Sequence, residues 1–111
     1  EKPFDGPGAR ASGFRMNNIG HIDHATGKTD AWYCGSQSII QEPQFIPRHK
    51  GAAEGDGYII ALVDNVVTNY SDLCVFDALR LPEGPIGRAK LPFRVRSGLH
   101  GTWADESKLP K

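Results

Sequence analysis

The sequence predicts an all-β chain of short antiparallel strands, and three observations carry that expectation. No segment places apolar residues at the i, i+3, i+4, i+7 spacing of a helix face, so helix content should be very low. Short apolar runs recur between turn-forming residues about every 8–12 residues. Two of these runs, Tyr58-Ile-Ile-Ala-Leu-Val63 and Leu73-Cys-Val-Phe76, are apolar on both faces. Such strands must be sandwiched between layers. A propeller covers both faces of each sheet, whereas a two-sheet sandwich covers one. Roughly six or seven strands are expected, enough for one four-stranded blade and parts of its neighbours.

The elements follow in order. Residues 1–12, with Pro3, Asp5, Gly6, Pro7 and Gly8, read as an irregular segment, and residues 13–111 as the blade portion of a single larger domain. Residues 13–23 form a polar-looking strand carrying Phe14, Met16, Ile19 and Ile22. His24 to Lys28 makes a tight turn in which Gly27 can take a positive φ, and residues 29–34 return with Trp32. Residues 39–47 read as one strand between prolines; Pro43 and Pro47 lack amide donors and place it at a sheet edge or beside a bulge. A polar loop over 48–56 precedes the strand at 58–63. Residues 66–71 turn the chain into the strand at 73–76. Residues 79–85 form a loop, residues 86–91 another strand, and residues 100–103 could begin one more.

Composition excludes several functions. Lys plus Arg and Asp plus Glu number 13 each, so the net charge is near zero and implies neither a nucleic-acid nor a membrane-surface partner. No apolar run approaches the roughly 20 residues of a membrane span, and no secretion signal opens the chain. Cys34 and Cys74 lie among aromatic and aliphatic neighbours; they could pair in an extracellular protein, but read rather as buried free thiols of a reducing, cytoplasmic setting. The chain opens on Glu1 rather than Met, which suggests a piece of something longer.

One stretch concentrates the chemistry. Leu91-Pro-Phe-Arg-Val-Arg-Ser-Gly-Leu-His-Gly-Thr-Trp103 sets His100 close to Gly98 and beside Gly101, where something must approach the backbone closely or the chain must turn sharply. Upstream, Gln41-Glu-Pro-Gln-Phe-Ile-Pro47 places Glu42 as one carboxylate in an otherwise apolar run. A histidine and a carboxylate in such settings suggest a metal ligand and the group that orients it.

Taken together, Glu42-Pro-Gln-Phe-Ile-Pro-Arg48, Glu54-Gly-Asp-Gly-Tyr58, Ser71-Asp-Leu-Cys-Val-Phe-Asp-Ala78 and Leu91-Pro through Gly98-Leu-His-Gly-Thr-Trp103 resemble, in that order, the C-terminal part of the carotenoid cleavage oxygenase family. The similarity is greatest to its lignostilbene dioxygenase branch and runs from about residue 13 to residue 103. The resemblance implies a seven-bladed β-propeller, of which this chain would hold about one and a half blades. It implies a non-haem Fe(II) on the propeller axis, held by four histidines from four blades, with three glutamates bonded to histidine ligands. His100 occupies the position of the last ligand histidine and Glu42 that of one of the glutamates. The pairing expected is Glu42 with His100 itself. The implied reaction inserts both atoms of O2 across an alkene, the substrate being a small hydrophobic or phenolic stilbenoid or an apocarotenoid, and releases two carbonyl products. An isomerising member would share both residues.

A neutral imidazole binds ferrous iron through one ring nitrogen, and a carboxylate on the other fixes its tautomer. The remaining ligands would come from N-terminal blades outside these residues, so the piece alone is expected to be inactive. The alternative is a non-catalytic binding or structural module derived from a propeller. His21, His24 and His49 read as turn and loop histidines. Arg88, Lys90, Arg94 and Arg96 read as a solvated face. Trp32, Phe45, Phe93 and Trp103 read as core between blades, with Phe93 and Leu99 as weak candidates for a substrate tunnel. Gly55-Asp-Gly57 is a turn rather than a phosphate loop, since no helix follows it. No Ser-His-Asp or Cys-His set is legible.

Overall fold

The computed structural model describes residues 16–96, 98 and 100–111. The irregular segment expected over residues 1–12 lies outside them, as does the start of the first strand. That strand, β1 (Asn18–Ile22), pairs antiparallel with β2 (Thr29–Tyr33), placing Ile19 opposite Trp32. The turn between them is held by Asp23, whose carboxylate accepts from the amides of Ala25 at 2.8 Å and Thr26 at 3.3 Å. Gly27 takes φ 73°, the left-handed conformation expected of it.

The second sheet is built on β5 (Gly57–Asn65) and β6 (Tyr70–Asp77), with β7 (Gly87–Lys90) on the outer edge of β6. Both β3 (Ser38–Ile40) and β4 (Gln44–Pro47) pair antiparallel with β5. The single strand expected over 39–47 is therefore broken. Ile40 lies opposite Val63 and Gln44 opposite Ile60. Residues 41–43 thus face only residues 61 and 62, a β-bulge with one extra residue. Pro43 explains the break, because it has no amide to give the ladder. Gln41 still donates its backbone N–H to Leu62 O at 2.9 Å.

β4 runs very close to β5. A Cβ at Gly57 would overlap the Ile46 carbonyl oxygen and the Phe45 ring, so only glycine fits there. Arg48 then ties the loop after β4 to the end of β6. Its guanidinium donates to Asp56 at 2.7 Å, to Asp77 at 3.0 Å and to the Tyr58 hydroxyl at 3.1 Å. The hydrogen bond to Asp56 leads in holding this guanidinium protonated beyond its usual range.

Strand alternation gives β5 and β6 two working faces. On one, Ala61, Val63, Cys74 and Phe76 form the core with Ile19, Ile40 and Leu81, and Trp32, Cys34 and Ile59 pack against it. Trp32 meets the fully buried Phe76 edge to face, with ring centroids 4.9 Å apart. On the other face, the register sets Leu62 opposite Leu73 and Asp64 opposite Ser71.

Other expectations need correcting. Residues 79–85 are not simply loop: Ala78–Glu83 forms a 3-10 turn capped by Asp77, whose carboxylate accepts from Leu79 N at 3.0 Å. Leu81 within it is fully buried, because the turn folds back over the core. The turn into β6 is shorter than expected, since Asn65 caps it by accepting from the amides of Val67 and Thr68 at 2.9 Å each. No strand begins at His100; residues 100–105 have no regular structure and precede a 3-10 turn at Glu106–Lys108. The His100 ring and the Gly101 amide contact Glu42 of the bulge instead of a strand edge. The second sheet has four strand positions, the number in one propeller blade, and the hairpin supplies half of another.

Candidate metal-ligand site

The bulge and the segment after β7 form the site. In a regular strand, consecutive side chains point to opposite faces. The extra residue at 41–43 breaks that alternation, so Gln41 reaches Arg96 and Gly98 while Glu42 reaches His100 and Gly101. Glu42 Oε2 lies 2.7 Å from His100 Nδ1, and Glu42 Oε1 accepts from Gln44 Nε2 at 2.9 Å. Gly101 N adds a long contact to the same oxygen at 3.5 Å. The bond from His100 leads, followed by that from Gln44, in holding the Glu42 carboxyl below its usual range. An ionised carboxylate only accepts, so Nδ1 is the donor in this pair. In the neutral imidazole the lone pair then lies on Nε2, on a side chain that is 78% exposed. This is the tautomer that suits a metal-binding imidazole.

His100 and Glu42 stand at the rim of a cavity of about 310 Å³. Its wall includes Ile60, Leu62 and Leu73 from the outer sheet face, together with Trp103. Convergent polar groups beside an apolar wall are the usual make-up of a small-molecule pocket.

The glycines flanking His100 do less than the sequence suggests. A Cβ at Gly98 would meet Gln41 Oε1 at 3.5 Å and one at Gly101 would meet Gln44 Nε2 at 3.8 Å, both ordinary contacts. What comes closest is a pair of side-chain amides; the backbone His100 O lies farther off, at 4.0 Å from a Cβ at Gly98.

The other candidates sort clearly. His24 and His49 are exposed, and His49 Nδ1 contacts its neighbour's carbonyl, Lys50 O, at 3.0 Å. His21 sits in β1 opposite Asp30. No group of three or more His, Cys, Asp or Glu side chains placed to hold a metal occurs among the described residues. Arg88 pairs with Asp72 at 3.5 Å and Lys90 lies over the Tyr70 ring on the exposed strand β7, and Arg94 and Arg96 are exposed beyond it, so the basic run is a solvated face. Phe93 is exposed and does not line the cavity at His100, and Leu99 lies outside the described residues. Of the four aromatics expected in the core, Trp32 packs there; Phe45, Phe93 and Trp103 are exposed, because no second layer covers them within this structure. Cys34 and Cys74 are both free, and burial pushes the Cys34 thiol up to about 11 and raises Cys74 as well. Gln41, Gln44 and Asp64 went unmarked in the sequence, where isolated polar residues in or beside strands carry no distinguishing spacing.

This arrangement of sheets is part of a β-propeller, and solved oxygenases share it. The lignostilbene dioxygenase of Pseudomonas brassicacearum superposes with a TM-score of 0.82 at 41% identity, over 94% of this chain and 22% of that one. A cobalt-substituted apocarotenoid oxygenase of Synechocystis superposes with a TM-score of 0.76 at 29% identity, over 81% of this chain and 19% of that one. Among curated proteins, lignostilbene-α,β-dioxygenase isozyme III of Sphingomonas paucimobilis is 76% identical over 101 residues, which are 91% of this chain and 21% of that protein. The chain belongs to the retinal pigment epithelial membrane protein family, the carotenoid oxygenases, which it matches over residues 4–105. It spans about a fifth of the length of these relatives. No helix among the described residues is long and apolar enough to cross a membrane.

Proposed function

We propose that this chain supplies one corner of the Fe(II) site of an alkene-cleaving dioxygenase, with His100 as the ligand and Glu42 as its partner. The preferred substrate is a lignostilbene-like stilbenoid, on the strength of 76% identity to a lignostilbene dioxygenase. The observation that carries the reading is the 2.7 Å contact that commits His100 Nδ1 to a carboxylate, on an exposed side chain that lines a cavity with an apolar wall. Ferrous iron, when bound, supplies the capacity to activate O2. One imidazole cannot hold it, so the other ligands come from histidines outside these residues.

The chain's own side chains have separable tasks. Glu42 holds the Nδ1 proton and thereby keeps the Nε2 lone pair available. Gln44 holds Glu42 in place through its 2.9 Å bond. Ile60, Leu62, Leu73 and Trp103 offer an apolar wall that excludes water and accepts an aromatic part of the substrate. The test is to incubate the full protein with Fe(II), O2 and either a 4-hydroxystilbene or an apocarotenal, and to identify carbonyl products. Two aldehydes from the stilbene, lost in His100→Ala, is the expected result. Turnover of the apocarotenal alone would move the substrate class, and full activity in His100→Ala would overturn the reading.

A further inference from the structure

The segment that carries His100 has no strand of its own, yet it is held at several points, and the holding groups lead back to a buried charge. Asp64 is 1% exposed. A carboxylate so far from water is costly unless its oxygens are bonded. Here both are: Oδ1 accepts from the Ser71 hydroxyl at 2.5 Å and Oδ2 from Gln41 Nε2 at 2.9 Å. Each donor then reaches on to the segment after β7. Ser71 Oγ accepts from Val95 N at 2.8 Å, and the Ser71 backbone pairs with Leu91 N and Phe93 O. The Gln41 amide donates to Arg96 O at 3.3 Å and accepts from Gly98 N at 3.0 Å.

These contacts allow only one orientation of the Gln41 amide. Asp64 and the Arg96 carbonyl can only accept, so both require the NH2 group. The Gly98 amide can only donate, so it requires the oxygen. Rotating the side chain by half a turn would face donor with donor and acceptor with acceptor at three contacts. Gln41 and Glu42 are consecutive in the bulge, so this pair holds the chain at Arg96 and Gly98 and again at His100.

We infer that Gln41, oriented by buried Asp64, is a positioning residue that sets His100 against Glu42. Asp64 acts through Gln41, Ser71 fixes the near end of the segment, and none of the three touches the imidazole. The role as a metal-site device rests on the proposed reading of His100 as a ligand; the setting of the His100 tautomer does not.

The test uses the full protein and two variants. Gln41→Ala removes the clamp. Asp64→Asn keeps the shape but removes the charge, leaving the Arg96 carbonyl and the Gly98 amide as the stronger constraints on the Gln41 amide. The 15N shifts of the His100 ring report its tautomer, and Co(II) titration reports affinity. In the unsubstituted protein the ring should be predominantly protonated at Nδ1. Gln41→Ala should shift it towards Nε2–H and weaken Co(II) binding by up to about tenfold, the lower end of the range for groups bonded directly to a ligand, and Asp64→Asn should do the same to a smaller extent. A lowered melting temperature with unchanged ring shifts in both variants would overturn the inference, since a merely structural role has that signature. A ring that responds in protein that binds no Co(II) at His100 would sustain the positioning role while removing the ligand reading.

Discussion

Replacing Glu42 with glutamine isolates what its charge does for His100. The side chain keeps its length and volume, and its carbonyl oxygen can still accept from Nδ1, so the 2.7 Å contact can persist as a neutral bond. Hydrogen bonds to an ionised group are roughly twice as strong as neutral ones, so about half of the orienting strength is lost. The new NH2 group also faces Gln44 Nε2, now 2.9 Å from Glu42 Oε1, and Gln44 must turn over to relieve that clash. Removing a group that orients a metal ligand generally costs 10–100-fold in affinity. Glu42→Gln should fall near the lower end, about tenfold, and Glu42→Ala near the upper end, about a hundredfold. Isothermal titration of the full protein with Co(II) at neutral pH reads both. Equal affinity in the parent and Glu42→Ala would refute the reasoning, because the imidazole would then need no partner.

Two further outcomes follow from the packing. Phe76→Ala should destabilise the protein by about 3–5 kcal/mol in denaturant titrations, since it empties a fully buried site and removes the edge contact to Trp32. A loss under about 1 kcal/mol would mean that the core can collapse around the gap. Both cysteines should react slowly with a disulfide reagent at pH 8. Burial holds the Cys34 thiol neutral until about pH 11 and raises Cys74 in the same direction, so the thiolate appears only as pH climbs. Rapid labelling of either in folded protein would contradict that account.

The parts of this molecule that were legible in its sequence are those whose signal is local. Gly27 sits after Asp23 and before Lys28, and the turn forms there with the positive φ that glycine permits. The doubly apolar runs became β5 and β6, which bear core residues on one face and cavity residues on the other. Pro43 signalled an edge or a bulge; the bulge forms, and it divides the strand expected over 39–47 in two. Leu81 was hidden because proline and glycine around it speak for loop, whereas its burial depends on how the 3-10 turn folds back over a distant sheet. Gln41, Asp64 and Ser71 were hidden for a related reason. Gln41 lies 23 positions from Asp64 and 57 from Gly98, and only the sheet register brings these groups together. Glu42 and His100 are 58 positions apart; each stood out by its local setting, and the order of the surrounding motifs tied the two together.

The central claim is that His100 offers Nε2 to the metal while Nδ1 stays bonded to Glu42. A crystal of the iron-loaded full protein, measured on both sides of the iron absorption edge, tests it directly. The account expects an anomalous peak at bonding distance from His100 Nε2, with Glu42 still on Nδ1. A peak on Nδ1, or an iron site away from His100, would contradict it.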